Sequence, residues 1–232
     1  MDSSSLRSTS AHVIVEPDAL LGDGDLPLDD SVEHHLRRVV RLRDGESVSA
    51  TDGDGAWRLT TVRIDGSTLR LEPSTAVRVE PQRSVLVSIA AAMPKGDRLE
   101  WLVQKVTELG ADRLTLLHAE RSVVRWKANR IEQQRERLQR IADEACRQSR
   151  RVWRMHVEGP VDATTVLSSY AVAEPGGRRL AAGDTSIAIG PEGGWSPEEL
   201  AAASVQVAIN DHILRTETAA VAATALCVAF DR

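Results

Sequence analysis

At 232 residues, 42% of them hydrophobic and 27% charged, the chain is long enough for one large domain or two small ones with their own cores, and its composition excludes wholesale disorder. The longest apolar runs, Val85 to Met93 and Ala219 to Phe230, fall far short of the ~20 residues of a bilayer-spanning helix, so no membrane partner is expected. The net charge of −5 argues against a general polyanion binder but conceals an asymmetry: residues 34–43 hold four Arg and no acid, and residues 121–154 hold eleven Lys or Arg against four acids. Two basic segments on an acidic protein read as a local footprint for an anionic polymer; the same arginines also fit solvated helix faces with i,i+4 partners.

In chain order, Met1 to Ser10 is Ser-rich with no apolar stretch behind it, which reads as a frayed tail and not as a secretion signal. Asp30-Ser31 followed by VEHHLRRVVRL has the spacing of one helix, with Val32, Leu36, Val39 and Val40 as its stripe and Ser31 as N-cap. Residues 46–72 read as three short strands, ESVSAT, AWRLTTVRI and STLRLE, separated by Asp-Gly turns that mark hairpins of a small β domain. Pro73 to Pro81 is a linker. Beyond it the pattern changes to strands alternating with helices, the signature of an α/β sheet. Val85 to Ala92 is a doubly covered strand. Asp97 with Glu100 opens a helix in capping-box fashion, Leu99, Leu102, Val103, Val106 and Leu109 form its buried stripe, and Gly110 ends it. Leu114 to Leu117 is a strand, and Asn129 to Gln148 a helix with Ile131, Leu138, Ile141, Ala142 and Ala145 inward and Arg130, Arg137, Arg140 and Arg147 on its flanks. Residues 158–184 have no readable period. Ser186 to Ile189 and Val205 to Ile209 are strands, and Thr216 to Phe230 is an Ala-rich closing helix. Cys146 and Cys227 stand far apart, without a CxxC or a His at ligand spacing, which predicts reduced, buried thiols and no metal site.

Four stretches carry chemistry. Ile189-Gly190-Pro191-Glu192-Gly193-Gly194 runs from a strand into a helix marked by Ser196 at N-cap, Pro197 at N1 and Glu199 closing a capping box, and its glycines allow a ligand against bare backbone. The pattern is neither GxxxxGK[ST] nor GxGxxG. A polar knot, Leu214-Arg215-Thr216-Glu217-Thr218-Ala219, precedes the last helix; Thr216 can cap it, Glu217 suits its dipole, and a buried Arg215 needs a partner. The other two are Lys95-Gly96-Asp97-Arg98-Leu99-Glu100-Trp101, with Glu120-Arg121-Ser122 beyond the next strand, and Glu144-Ala145-Cys146-Arg147-Gln148-Ser149. Each alone is compatible with plain turns and caps.

Taken in this order, KGDRLEWLVQKVTELGAD, ERSVV, EACRQS, IGPEGGWSPEE and ILRTETA resemble the small-subunit (16S) ribosomal RNA uridine-N3 methyltransferases of the SPOUT class. The resemblance covers about residues 85–232, and HHLRRVVRLRDGE with the hairpins adds a fainter match to that family's N-terminal PUA-like β-barrel. It implies a PUA-like, RNA-binding β-barrel over 11–76 and a C-terminal α/β trefoil-knot methyltransferase domain over 82–232, with 1–10 a disordered tail. It implies S-adenosyl-L-methionine as cofactor, ribosomal RNA or the small subunit as partner, a homodimer, and a cytoplasmic place of action.

Carried over onto this sequence, the resemblance puts Ile189, Gly190, Pro191, Glu192, Gly193 and Gly194 on one cofactor loop and Ile209, Leu214, Arg215, Thr216, Glu217, Thr218 and Ala219 on another. The family's Leu-Gly-Pro-Arg before the second loop is here Ile209-Asn210-Asp211-His212, and its early Pro-Arg-aromatic start is Ala11-His12-Val13. Catalytic candidates are Arg215, for charge growing on the uracil carbonyls, and Glu217, with Glu192 as the other carboxylate able to take the N3 proton. RNA contacts are expected from Arg37, Arg38, Arg41, Lys95, Arg121, Arg147, Arg150, Arg151 and Arg154. Two other readings stay open on sequence: a non-catalytic RNA-binding assembly factor of the same fold, and a methyltransferase acting on tRNA or a ribose 2′-oxygen.

Overall fold

The computed structural model describes residues 4–66 and 68–230. They divide into two compact units, one made of the described residues up to 82 together with 146–154, the other of 83–145 together with the described residues from 155 onward.

The first unit opens with a helical turn, α1 (Ser4–Arg7). It replaces the expected frayed tail: Leu6 is buried against Trp57 and Val152, and the Thr9 hydroxyl donates to the Leu6 carbonyl. Met1 to Ser3 of that expected tail lie outside the described residues, as does Ser67 of the third expected strand. Then come β1 (Ala11–Ile14), α2 (Pro17–Leu21), α3 (Asp30–His35), β2 (Ser47–Thr51), β3 (Ala56–Asp65), β4 (Thr68–Pro73) and β5 (Arg78–Val79). The sheet runs β1-β2-β3-β4, with β5 also on β3 and only β1 and β2 parallel. The Asp-Gly hairpins form as read. Asp52 Oδ1 accepts from the amides of Asp54 and Ala56, and Gly53 and Gly55 take φ of 86° and 97°. Val13, Val48, Val62 and Leu71 close the core.

The helix expected over VEHHLRRVVRL is shorter. Asp29, not Ser31, stands at the N-cap; α3 stops at His35, a π turn covers Leu36–Val40, and Arg41 is left-handed with φ 61°. Leu36 and Leu42 turn inward, while Val39 and Val40 are exposed, because the wider turn breaks the 3.6-residue stripe.

Residues 146–154, expected within the second domain, belong to this first unit. The Gly55 amide and the Thr51 hydroxyl both donate to the Val152 carbonyl, and the Arg154 amide donates to Gly53 O at 2.8 Å. His12 completes the seam. Its Nε2 faces the Arg151 carbonyl at 3.0 Å and must donate, which leaves Nδ1 to accept from Ser49 Oγ at 2.7 Å. Burial, aided by Arg150 and Arg147 and opposed by the Arg151 carbonyl, lowers the His12 pKa from 6.5 to about 4. Between those values the unfolded chain binds a proton that folded His12 refuses. Stability should therefore fall as pH drops from 6.5 to about 4, by roughly 3 kcal/mol in total. Urea unfolding at pH 7 and pH 4.5 measures it, and a loss equally large in His12→Asn would assign it to other groups.

The second unit is a six-stranded, all-parallel sheet flanked by helices. Its elements are β6 (Ser88–Ala92), α4 (Arg98–Leu109), β7 (Arg113–His118), α5 (Ile131–Ser149, whose last turn belongs to the first unit), β8 (His156–Asp162), β9 (Ala171–Arg179), β10 (Ser186–Ile189), α6 (Pro197–Ala202), β11 (Val205–Ala208) and α7 (Thr216–Phe230). The strand order is β11-β9-β10-β6-β7-β8. Alternation sends Ile89, Ala91, Ile187 and Ile189 to the core under α4 and α7, and Ala90 and Ala188 to the opposite core with Leu117, Val172 and Trp195. Gly110 ends α4 at φ 105°. The capping box expected there does not form: Asp97 has helical φ and ψ of −67° and −10° and its side chain makes no cap, while Glu100 pairs with Arg137. The unreadable stretch 158–184 holds most of β8, two 3-10 turns and β9. Its strand was hidden by Pro175-Gly176-Gly177, and Gly177 is needed because a Cβ there would lie 2.6 Å from the Val207 amide of β11.

Both cysteines are free and buried. Among the described residues no helix is long and apolar enough to cross a membrane, and no group of three or more His, Cys, Asp or Glu is placed to hold a metal.

Candidate active site

The strand-to-helix turn after β10 is held from its far side. Ser196 Oγ accepts from the Glu199 amide and Glu199 Oε2 from the Ser196 amide, so the expected capping box is formed. Glu199, 2% exposed, also accepts from the Glu120 amide through Oε1 at 2.8 Å. The loop itself turns through Gly194 N to Pro191 O at 2.9 Å, and Gly194 is left-handed with φ 71°. Gly190 is required for a different reason: a Cβ there would lie 2.9 Å from the indole of Trp195, whose Nε1 donates to the Ala173 carbonyl.

The second loop meets the first through one hydrogen bond, from Thr216 Oγ1 at the start of α7 to the Gly190 carbonyl at 2.9 Å. Upstream, the Asn210 side chain accepts from the His212 amide at 2.8 Å, so Asn210-Asp211-His212 makes its own turn by a local side-chain bond.

Between the two loops lies a cavity of about 310 Å³, within the lower range of small-molecule sites. Ile189 and Gly190 to Gly194 line one wall, and Ile209, Leu214, Thr216 and Ala219 the other. Sequence reasoning missed Glu174 and Trp195 in its wall, and did not assign Asn210 and His212 to it. Trp195 was within reach, as a Trp beside a Gly-rich turn; Glu174 lies in the unreadable segment. Arg215, Glu217 and Thr218 do not line the cavity. Arg215 is exposed, since it precedes the buried face of α7, and so needs no buried partner. Glu217 is buried at the first turn of α7, with Oε1 3.6 Å from Arg98 Nη1.

Of the other residues expected to touch RNA, Arg38, Arg41, Lys95 and Arg121 are exposed, and Arg121 donates to the Gly193 carbonyl at 3.1 Å. Arg37 is half-buried beside Glu33. Arg147, Arg150, Arg151 and Arg154 are half-buried, and Arg150 Nη2 donates to the Thr9 carbonyl at 2.8 Å, burial lowering its pKa.

The cavity is lined by the apolar side chains of Ile189, Ile209, Leu214 and Trp195 and by two acidic residues, Glu174 and Glu192, a composition that suits a ligand with an apolar ring and a positive charge. Residues 81–228 match the RNA methyltransferase domain family and residues 28–73 the RNA methyltransferase PUA domain. The chain belongs to the RNA methyltransferase family. The ribosomal RNA small subunit methyltransferase E of Bacillus subtilis is 32% identical to this methyltransferase over 80% of the chain and 82% of its own length. That of Mycobacterium bovis is 32% identical over 82% and 80%. The Neisseria gonorrhoeae structure of the same name, bound to S-adenosyl methionine, superposes with a TM-score of 0.76 at 25% identity, covering 93% of this chain and 95% of that one.

Proposed function

We propose that this methyltransferase moves the methyl group of S-adenosylmethionine to N3 of a uridine in 16S rRNA of the small ribosomal subunit. The observation that carries the reading is the cavity where the Gly190–Gly194 loop and the start of α7 converge, in a chain whose curated relatives are small-subunit rRNA methyltransferases. The bound cofactor supplies an electrophilic methyl on a sulfonium cation. The backbone of Gly190, Gly193 and Gly194 and the apolar wall would hold it, and the acidic residues Glu174 and Glu192 would complement its charge. Most of the rate then comes from alignment with N3 and from removal of the N3 proton. We assign that proton to Glu192, which is half-exposed and lines the cavity. Glu217 is set behind it. N3 lies on the Watson–Crick edge, so the target uridine must be unpaired or flipped out.

A trefoil knot in the C-terminal domain, a homodimer and a cytoplasmic place of action belong to the same reading. The dimer is supported by α7, where Phe230 is 42% exposed and Val221, Leu226 and Val228 are only partly covered. RNA binding by the PUA domain is supported by exposed Arg38 and Arg41. The test offers isotope-labelled methyl donor with free 16S rRNA, small subunits and tRNA, followed by nucleoside mass spectrometry. 3-Methyluridine in 16S rRNA is expected. Label in tRNA or on a ribose would reassign the substrate, and no measurable donor affinity together with no label in any RNA would make the protein an assembly factor.

A further inference from the structure

One side chain that does not line the cavity ties the two loops together. Arg98 Nη1 lies 3.5 Å from Glu192 Oε1 and 3.6 Å from Glu217 Oε1, and its Nε donates to the Lys95 carbonyl. Its place runs against local preference, because Arg98 is the first residue of α4, where the helix dipole disfavours a cation. Stability does not explain it either: the Arg98 and Glu192 side chains are 37% and 39% exposed, and such pairs add little. Glu217 is the opposite case. Its side chain is 8% exposed, Oε2 is buried without a hydrogen-bond partner among the described residues, and Arg98 is the cation it faces. A buried carboxylate so poorly satisfied is one that packing alone would replace by an apolar side chain.

We infer that Arg98 is a positioning residue for methyl transfer: anchored by buried Glu217 on α7, it holds the Glu192 carboxylate of the Gly190–Gly194 loop in the orientation that takes the proton from the target base. The inference rests on the assignment of Glu192 as proton acceptor. Glu217, fixed to a core helix, sets where the guanidinium sits, and the guanidinium sets where Glu192 points. The sequence-expected catalytic role of Glu217 thereby becomes one of anchoring, consistent with its absence from the cavity wall.

The test is a mutant cycle on the full-length protein, read by single-turnover methylation of its RNA substrate at saturating donor, calorimetric donor affinity and melting temperature. Arg98→Met should slow turnover roughly 10- to 100-fold, the scale of a misplaced catalytic group, while donor affinity stays within about threefold. Arg98→Lys should restore most of the rate. The double variant Arg98→Met with Glu192→Gln should be no slower than Glu192→Gln alone by more than about twofold, since Arg98 acts through Glu192. Multiplying losses in the double variant, or equal losses in rate and donor affinity for Arg98→Met, would overturn the inference. Glu192→Gln turning over at the wild-type rate would remove the acceptor assignment beneath it. A slow Glu192→Gln beside a wild-type Arg98→Met would remove the positioning role alone.

Discussion

Trp195→Ala should cost the protein about 3–5 kcal/mol of unfolding stability, the usual penalty for emptying a large buried aromatic site, and should weaken donor binding by about tenfold or more. The side chain is 4% exposed and packs with Ala90, Ala188 and Val172 on one face of the sheet while forming part of the cavity wall. It also props the Gly190 backbone, where there is no room for a Cβ. Truncation therefore opens the core and releases the loop together. Trp195→Phe keeps most of the packing and loses only the bond to the Ala173 carbonyl, so a loss of about 1–2 kcal/mol is expected. Chemical denaturation and calorimetry of both variants decide; a Trp195→Ala protein that binds donor normally would detach the indole from the site.

The second large effect concerns the arginines of residues 147–154. Replacing Arg147, Arg150, Arg151 and Arg154 together by Ala should flatten the log-salt slope of RNA binding by about 0.7–0.9 for each phosphate that the protein no longer neutralises, but it should also destabilise the first unit. These residues are not a freely solvated face. Arg150 bonds to Thr9, its backbone is left-handed at φ 59°, and Arg154 lies over Gly53 within 3.3 Å of where a Cβ would be. The double replacement Arg38→Ala and Arg41→Ala, at exposed positions, should lower the slope with little change in melting temperature. An unchanged slope in both proteins would place the RNA path elsewhere.

Local signals in the chain were sufficient wherever structure depends on near neighbours. The Asp-Gly hairpins, the apolar run of β6, the Ser196–Pro197–Glu199 cap and the α7 helix all follow from interactions within a few residues. Both loops that line the cavity were also legible, because glycine at a strand end and a Thr at a helix start have local causes. Where the local sequence offered two partners, the reading failed. Asp97 and Glu100 spell a capping box, yet Glu100 turns to Arg137, a residue of another helix.

By itself, then, the sequence determined the strands and hairpins of 46–72, the strand–helix alternation of the second unit outside 158–184, and the two turns that carry the site. Tertiary structure alone decided three things. It placed 146–154 in the first unit, because Val152 finds its partners at Gly55 and Thr51, about a hundred residues earlier, and Arg151 at His12, 139 residues earlier. It ordered residues 4–10 by burying Leu6 beneath Trp57. And it gathered Arg98, Glu192 and Glu217 from three separate elements into one charged cluster, since the distance between side chains depends on how β10, α4 and α7 pack, a quantity that no local period encodes.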